Sequence, residues 1–515
     1  MCQRVVFLSF LFLLAISSFA QQQTATYSVN PASFEENTSI TVTINGNSID
    51  ESAWGVTGNV LYMWAWAFDL SGVTQKGTPL NGDWNNSNEA SKFTYNQTND
   101  TYTKTFTPTT YYNTTGIGKI GFLIKAKDGT GDKKSQDMLV EVGSFQVNLT
   151  TPTQNSSTII NSGSNFTITA TNTNGNASYN LKSNGVSMNT NTSTSSYSFT
   201  HSNITSNQNY ELEVVQGTTT ITKKFSVIVN PGNNRQALSS NLVDGINYDP
   251  NDATKATLVL DAPFKDFVYV AGSFNNWQPT NAYAMKKDTN SDKFWLELTG
   301  LTPGTKYTYQ YWVVDATPIA GTPAMVKTAD PYSTLVLSPF DDPTIPSTSY
   351  PNLPAYPIGQ EREVTVLQTG QTPYAWSNAT TNFVKPAKEK LVVYELLVRD
   401  FDAGRNFQAV IDKLDYFKNL KINAIELLPV MEFEGNESWG YNTAFHMALD
   451  KFYGTSDKLK ELIDKCHQNG IAVILDVALN HAFGRNPMLR MWMNDPDGDG
   501  WGSPSTENPY FNTVA

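Results

Sequence analysis

The sequence predicts a multidomain fold in which three all-β sandwich domains precede the opening strands of a parallel α/β domain, and three observations predict it. The chain has 515 residues, and at roughly 150 residues per domain three or four domains are expected. Up to about residue 380 it is rich in Asn, Thr, Ser and Gly and breaks into short β-rich runs separated by turn residues. After Lys390 the pattern changes to near-continuous apolar runs alternating with helical periods.

In chain order, Arg4, the apolar run Val5 to Ile16 and the small-residue end Ser17-Ser18-Phe19-Ala20 have the layout of a cleavable secretory signal over residues 1–20. An extracellular or periplasmic chain beginning near Gln21 is expected. No later stretch approaches the ~20 apolar residues of a spanning helix, so no membrane insertion is expected. Of two cysteines, Cys2 would leave with the signal, and Cys466 alone can form no intrachain disulfide. The formal net charge is -12 and no Lys/Arg cluster is present, which excludes nucleic acid and anionic membrane surfaces as partners. Aromatics at 12% in a polar β-rich chain suit modules that meet neutral polar ligands.

Residues 24–143 read as a first sandwich, with runs such as Ile40-Thr41-Val42-Thr43-Ile44 between Asn/Gly turns. In it Tyr62, Trp64, Trp66 and Phe68 alternate with Met63, Ala65 and Ala67, so one strand face carries four aromatics. That face reads as sandwich core, with a starch-binding platform as the alternative. Residues 144–230 read as a small immunoglobulin-like sandwich, with strands at Phe166–Ala170 and Lys224–Val229 and a break at Pro231-Gly232-Asn233-Asn234. Residues 237–351 form a third β unit with strands at Phe267–Val270, Lys293–Leu298 and Lys306–Trp312, and residues 352–389, with Pro354 and Pro357, read as a linker.

From residue 390 to 515 the order is strand, helix, strand, helix, strand. Leu391–Val398 reads as a strand buried on both faces. Phe407, Val410, Ile411, Leu414, Phe417 and Leu420 fall at helical spacing, and Ala424 to Val430 is the second strand. A helix from near Ser456 buries Leu459, Leu462, Ile463 and Cys466 and stops at Gly470, and Ile471 to Val477 is the third strand. Short links between parallel strands mean right-handed crossovers, and either a doubly wound sheet or a barrel can begin this way.

Polar groups gather where these strands end, at Arg399-Asp400-Phe401, Trp439-Gly440-Tyr441-Asn442 and Asp476-Val477-Ala478-Leu479-Asn480-His481, on the rim that carries function in parallel α/β folds. Taken alone, the last string reads as Asp476 bracing a loop and His481 capping a strand end. In its context it resembles the first signature of the α-amylase family, glycoside hydrolase family 13. The Trp439–Asn442 segment is similar to the family's upstream G-Y segment, and Phe452-Tyr453-Gly454-Thr455 falls in the expected order. The resemblance covers residues 390–515 and implies the first three βα units of a (β/α)8 TIM barrel.

It further implies that Tyr441 stacks under a sugar ring, that Trp439 lines the same substrate site, and that His481 donates to a hydroxyl of that sugar. It also implies that Asn480 ligates a structural calcium and that Asp476 is structural at the active-site rim. The family's nucleophile, acid/base and third carboxylate follow strands four, five and seven. The acids Glu395, Glu426, Glu432 and Glu434 match none of those positions, so no catalytic residue is expected in these 515 residues. The chain reads as the amino-terminal portion of a longer secreted hydrolase, truncated after strand three and inactive by itself.

Asp495-Pro496-Asp497-Gly498-Asp499-Gly500 is similar to the start of a calcium loop, with Asp495, Asp497 and Asp499 as weak ligand candidates. Thr506 stands at the twelfth position where a ligating Glu belongs, so a solvated acidic turn is the better reading. In the third β unit, Gly272-Ser273-Phe274-Asn275-Asn276-Trp277 and Lys327-Thr328-Ala329-Asp330-Pro331-Tyr332 resemble carbohydrate-binding module family 48, a sandwich of E-set type, and imply Trp277 as a sugar-stacking residue. Gln310 stands where glycogen-binding members carry Lys.

The expectation is a secreted hydrolase of α-glucans (starch or glycogen type) with a retaining mechanism. A non-catalytic extracellular starch-binding protein and a pullulanase- or branching-type member of the same family are the alternatives.

Overall fold

The structure is a computed structural model, and it describes residues 22–70, 72, 75–232, 234–496 and 498–513. The expected signal at 1–20 and Asp497 lie outside the described residues. The chain is β-rich, and its contacts divide it into two units: the first holds the residues up to Thr158 with Asn165–Ser202 and Gln208–Val227, and the second holds Ile159–Ser164, Asn203–Asn207 and everything from Ile228.

In the first unit two antiparallel four-stranded sheets face each other. One has the order Tyr27–Asn30, Ile40–Asn45, Thr101–Phe106, Thr94–Asn96, and the other Met138–Glu141, Ile117–Lys125, Tyr62–Asp69, Gln75–Gly77. Ile40–Asn45 alternates buried and half-buried positions because its β-branched residues point alternately in and out. Val42, Ile44, Tyr102, Ile120, Phe122 and Ile124 fill the space between the sheets.

The aromatic strand corrects the sequence reading. Met63, Ala65 and Ala67 join that core, so Tyr62, Trp64, Trp66 and Phe68 occupy the opposite, outer face. Alternation gave two faces, and only the partner sheet decides which one is inside. The outer face can hold large rings because the neighbouring strand sets Gly121 against Trp66, where a Cβ would stand 2.2 Å from the indole.

Residues 144–230 contribute a three-stranded sheet, Val147–Thr151, Ser164–Asn172, Ser196–Ile204, and a five-stranded one, Ser157–Asn161, Thr219–Asn230, Gln208–Gln216, Ala177–Ser183, Val186–Thr194. The expected run carries Phe166, Ile168 and Ala170 inward, and Tyr179 stacks on Tyr197 at 5.2 Å.

In the second unit, Gly245–Tyr248, Ala256–Asp261, Lys293–Leu298 and Lys286–Lys287 form one sheet of the third β region. The facing sheet runs Phe267–Gly272, Lys306–Val314, Val364–Gln368, Val336–Leu337, with Met325–Thr328 also on Lys306–Val314. Val364–Gln368 lies in the stretch read as a linker, yet it pairs with Lys306–Tyr309 and buries Leu367 in the sandwich core. Its Val-Thr-Val-Leu pattern is that of a strand, and the prolines before it masked the signal. The same core takes in Met491 and Trp492, whose indole donates to Pro263 O at 2.8 Å, so this stretch behind the third parallel strand packs on the sandwich.

The α/β segment is a three-stranded parallel sheet, Val393–Leu396, Ala424–Leu427, Ala472–Leu475, with Glu395, Glu426 and Ile474 in one row. The expected first helix is two short ones, Phe407–Asp412 and Leu414–Asn419, broken at Lys413, and Leu420 is 46% exposed. Ser456–Gln468 is one helix, started by the Thr455 side chain, which accepts from Lys458 N, and followed by Gly470 at φ +73. Leu396, Ile425 and Leu427 pack on Phe407, Phe417, Leu459, Leu462 and Cys466.

The first strand is not buried on both faces: Val393 is 42% exposed and Glu395 is exposed. Helices cover one face of the sheet, and the apolar run continues on the other without cover. Among the described residues no helix is long and apolar enough to cross a membrane, and Cys466 is a buried free thiol.

Candidate functional site

The turn Trp439–Asn442 sits over the end of the second parallel strand because Gly440 allows it. At φ +90, a Cβ there would lie 2.4 Å from Pro429 O, so any side chain would push the turn off the strand end. Asn442 locks the turn from the other side. Its Nδ2 donates to Glu434 O at 2.8 Å and its carbonyl accepts from Glu434 N at 3.2 Å. The third strand continues its ladder to Asp476, whose N–H donates to Leu427 O at 2.9 Å.

These two elements bring four of the expected residues together. The Tyr441 hydroxyl donates to Asp476 Oδ2. His481 Nε2 bonds the carbonyl of Tyr441, and its Nδ1 lies 3.0 Å from Asn480 Oδ1. Hydrogen bonding to Asp476, then burial, then the carboxylates of Asp476, Glu395 and Glu426 push the Tyr441 phenol up to about 12. The ring stays neutral over the physiological range, held at its hydroxyl end and 40% exposed. Trp439, in the same turn, is 64% exposed. The cluster therefore presents two aromatic surfaces with fixed polar partners at the carboxyl ends of parallel strands, an arrangement suited to a pyranose ring with an apolar C–H face and polar edges.

The other expected residues stand apart. Trp277 is half-buried in the third β region, packed against the cluster of Leu337, Val364 and Val366. Gln310 is fully buried, and its Nε2 donates to Glu361 O and Glu363 O at 2.6 and 2.9 Å, so it braces the sheet. Asp495 is buried, and its carboxylate accepts from Gly498 N and Gly500 N, both at 3.0 Å. Asp499 accepts from Trp501 N at 2.7 Å. Both acids organise a turn through backbone donors, but Asp495 is buried, so the turn is not the solvated one expected.

Sequence reasoning missed the ionic frame behind the site. Arg485 N donates to Glu434 Oε1 at 2.9 Å, its guanidinium reaches Asp341 Oδ2 at 2.5 Å, and Glu363 Oε1 lies 3.7 Å away. Beside it Lys451, 1% exposed, pairs with Glu432 and with Asp342 Oδ1 at 3.4 Å. Burial, aided by Asp342 and Asp341, outweighs Lys451 and raises the Glu432 carboxyl to about 7. No local motif signals this frame, because its members are separated by up to 144 residues.

Comparison with known proteins places the cluster inside a recognised segment. Residues 384–495 match the alpha amylase catalytic domain. A malto-oligosyltrehalose trehalohydrolase of Saccharolobus solfataricus is 41% identical over 100 residues, 19% of this chain and 18% of the relative. A cyclomaltodextrinase of Thermoanaerobacter pseudethanolicus is 44% identical over 78 residues, 15% of this chain and 13% of the relative. Such curated relatives are matched over a fifth of their length or less. The pullulanase SAP of group B Streptococcus, a solved structure, is 20% identical, with 70% of this chain and 50% of that chain covered at a TM-score of 0.38.

Proposed function

We propose, on the premise that residues 384–495 are an α-amylase-family catalytic-domain segment, that this chain is the glucan-contacting part of a secreted α-glucan hydrolase. The carrying observation is the Tyr441–Asp476–His481 cluster at the ends of parallel strands. In this reading the sheet is the start of a (β/α)8 barrel, Tyr441 stacks under the pyranose, and Trp439 extends the aromatic surface. Asp476 fixes the tilt of the Tyr441 ring through its hydroxyl. Both ring nitrogens of His481 are engaged, so donation to a sugar hydroxyl opens one of those two bonds.

Retaining cleavage needs a nucleophile and an acid/base carboxyl about 5–5.5 Å apart. Glu395 and Glu426 stand on adjacent strands within the sheet and are not assigned those roles. The reading therefore gives these 515 residues glucan contact without bond cleavage. Export follows from the residue 1–20 pattern.

Calcium is the family's expected structural ion, with Asn480 as a ligand. The Asn480 Oδ1 is within hydrogen-bond distance of His481, and among the described residues no group of three or more His, Cys, Asp or Glu gathers to hold a metal. Asn480 would supply one of the 6–8 oxygens calcium takes, through the side-chain oxygen that now meets His481.

The test is titration calorimetry of maltoheptaose into the chain and its Tyr441→Ala variant. Loss of one saturable binding event in the variant is expected; an isotherm unchanged in stoichiometry and affinity by Tyr441→Ala overturns the site.

A further inference from the structure

The outer face of the first sandwich carries an aromatic assembly that the core does not need. The core side of Tyr62–Asp69 is complete with Met63, Ala65 and Ala67, each at 2% exposure or less. The solvent side of an antiparallel sheet is ordinarily polar. Here Tyr62 and Trp66 are buried on it, at 2% and 7%, while Trp64 and Trp84 remain partly exposed and meet edge to face at 5.0 Å and 83°.

The pair is rigid. Asn81 clamps the loop to the strand, accepting from Ala65 N at 2.8 Å and donating to Ala65 O at 2.9 Å. Trp84 Nε1 donates to Gly129 O at 2.9 Å, and a Cβ on Gly129 would lie 2.5 Å from the indole. Lys125, fully buried, places its Nζ 4.8 Å from the Trp84 ring centre and 5.8 Å from that of Trp64. It donates to Trp84 O, Ser87 Oγ and Lys127 O at 2.9, 2.8 and 3.1 Å. Burial, only partly offset by the charge of Asp128, lowers its pKa to about 8. A desolvated lysine that bonds Trp84 O and Ser87 Oγ in one loop and Lys127 O in the segment after its own strand ties the two together, and with them holds the Trp84 indole in place. Beside them Glu89 Oε1 accepts from the Tyr62 hydroxyl and from Lys127 Nζ, both at 2.8 Å, and Glu89 is 62% exposed.

Preorganised indoles rimmed by an exposed carboxylate, an ammonium and a phenol are the complement of a neutral hexose, whose C–H faces stack and whose hydroxyls both donate and accept. The Glu89–Lys127 pair cancels its own charge, which disfavours an ionic ligand. The geometry points to Trp64 and Trp84 as a second glucan-binding platform, on the first sandwich and separate from the Tyr441 cluster, with Glu89 and Lys127 as hydroxyl partners. The identity of the hexose polymer as an α-glucan rests on the proposed function; the existence of a sugar platform does not.

The experiment is native electrophoresis of the full chain in gels containing amylopectin, xylan or no polysaccharide, with Trp64→Ala, Trp84→Ala, Glu89→Ala and Tyr441→Ala. Each variant is checked by thermal melting for an unchanged first-unit transition. Expected are retardation by amylopectin, a fall in affinity of about tenfold or more in either Trp variant, and a smaller fall in Glu89→Ala, whose exposed side chain keeps that variant folded.

Retardation abolished by Tyr441→Ala but untouched by the Trp and Glu89 variants overturns this platform and leaves the proposed function standing. Retardation by xylan alone overturns the α-glucan assignment. No retardation in any gel overturns the platform outright, and the calorimetry of the Tyr441 site then decides the proposed function separately.

Discussion

Replacing Lys451 with Met tests whether the buried ionic frame holds the α/β segment together. Methionine keeps the length and most of the volume of the side chain, so the change is mainly electrostatic. In the folded chain the ammonium is 1% exposed and is shared by Glu432, Asp342 and the neighbouring Asp450, which are all buried or nearly so. Removing one partner of a buried ion group costs about 3–5 kcal/mol, because the remaining charges lose their compensation in a medium that cannot solvate them. The Glu432 carboxyl already stands at about 7 with Lys451 in place, so without it the folded state must take up a proton at pH 7.5. Each unit by which the solution pH exceeds the ordinary 4.5 of the unfolded carboxyl then costs about 1.4 kcal/mol.

A loss of about 3–5 kcal/mol at pH 7.5 corresponds to a fall of roughly 6–15 °C in the melting of a unit of this size. At pH 5 the loss shrinks by about 1 kcal/mol, because Glu432, already at about 7 with Lys451 in place, is protonated at pH 5 with or without it. Scanning calorimetry of the full chain at both pH values reads this directly, with the second-unit transition as the observable. A double variant, Lys451→Met with Glu432→Gln, recovers part of the loss, because the uncompensated charge goes with its partner. A Lys451→Met loss under about 1 kcal/mol at pH 7.5, or an equal loss at the two pH values, refutes the reasoning.

Two further outcomes follow from the same chemistry. Glu432 has its folded value above the ordinary 4.5, so the stability its protonation contributes is fully present below pH 4.5 and is lost as pH rises through about 7. Asp330, pushed to about 6 by burial, adds a contribution of the same sign between pH 4 and 6. The second-unit transition is therefore expected to fall between pH 5 and 7.5, and Glu432→Gln to flatten that slope by about 2–3 kcal/mol; a slope unchanged by the substitution contradicts the assignment. Gly440→Ala, with a Cβ 2.4 Å from Pro429 O at φ +90, is expected to cost about 1–3 kcal/mol and to displace Tyr441, so calorimetry should show loss of the binding event that Tyr441→Ala removes, together with a lowered melting temperature. Full binding in Gly440→Ala would show that the turn does not position the ring.

Much of the candidate site was legible because it is built from local strings at strand ends. Asp476, Asn480 and His481 follow one apolar run, Tyr441 follows another by a glycine turn, and the helix that buries Leu459, Leu462 and Cys466 announces itself by period, cap and Gly470. The errors share one cause. The apolar run Leu391–Val398 and the aromatic strand Tyr62–Phe68 each state an alternation or an average hydrophobicity, and neither says what packs on which face. Val364–Gln368 was lost behind prolines for a related reason, since a strand at a long separation from its partner carries no local mark of pairing.

By itself, then, the sequence determined the β-rich modular organisation, the switch to parallel α/β pattern near residue 390, and the chemistry at the ends of the second and third parallel strands. Tertiary structure decided that Met63, Ala65 and Ala67 are the core and the aromatics are not. It also decided that Trp492 closes a sandwich core in the third β region, and that Arg485 and Lys451 gather acids from distant parts of the chain. Periodicity and turn chemistry act over a few residues and are written along the chain. Burial and charge compensation depend on which surfaces meet, and that is settled only when the chain has folded.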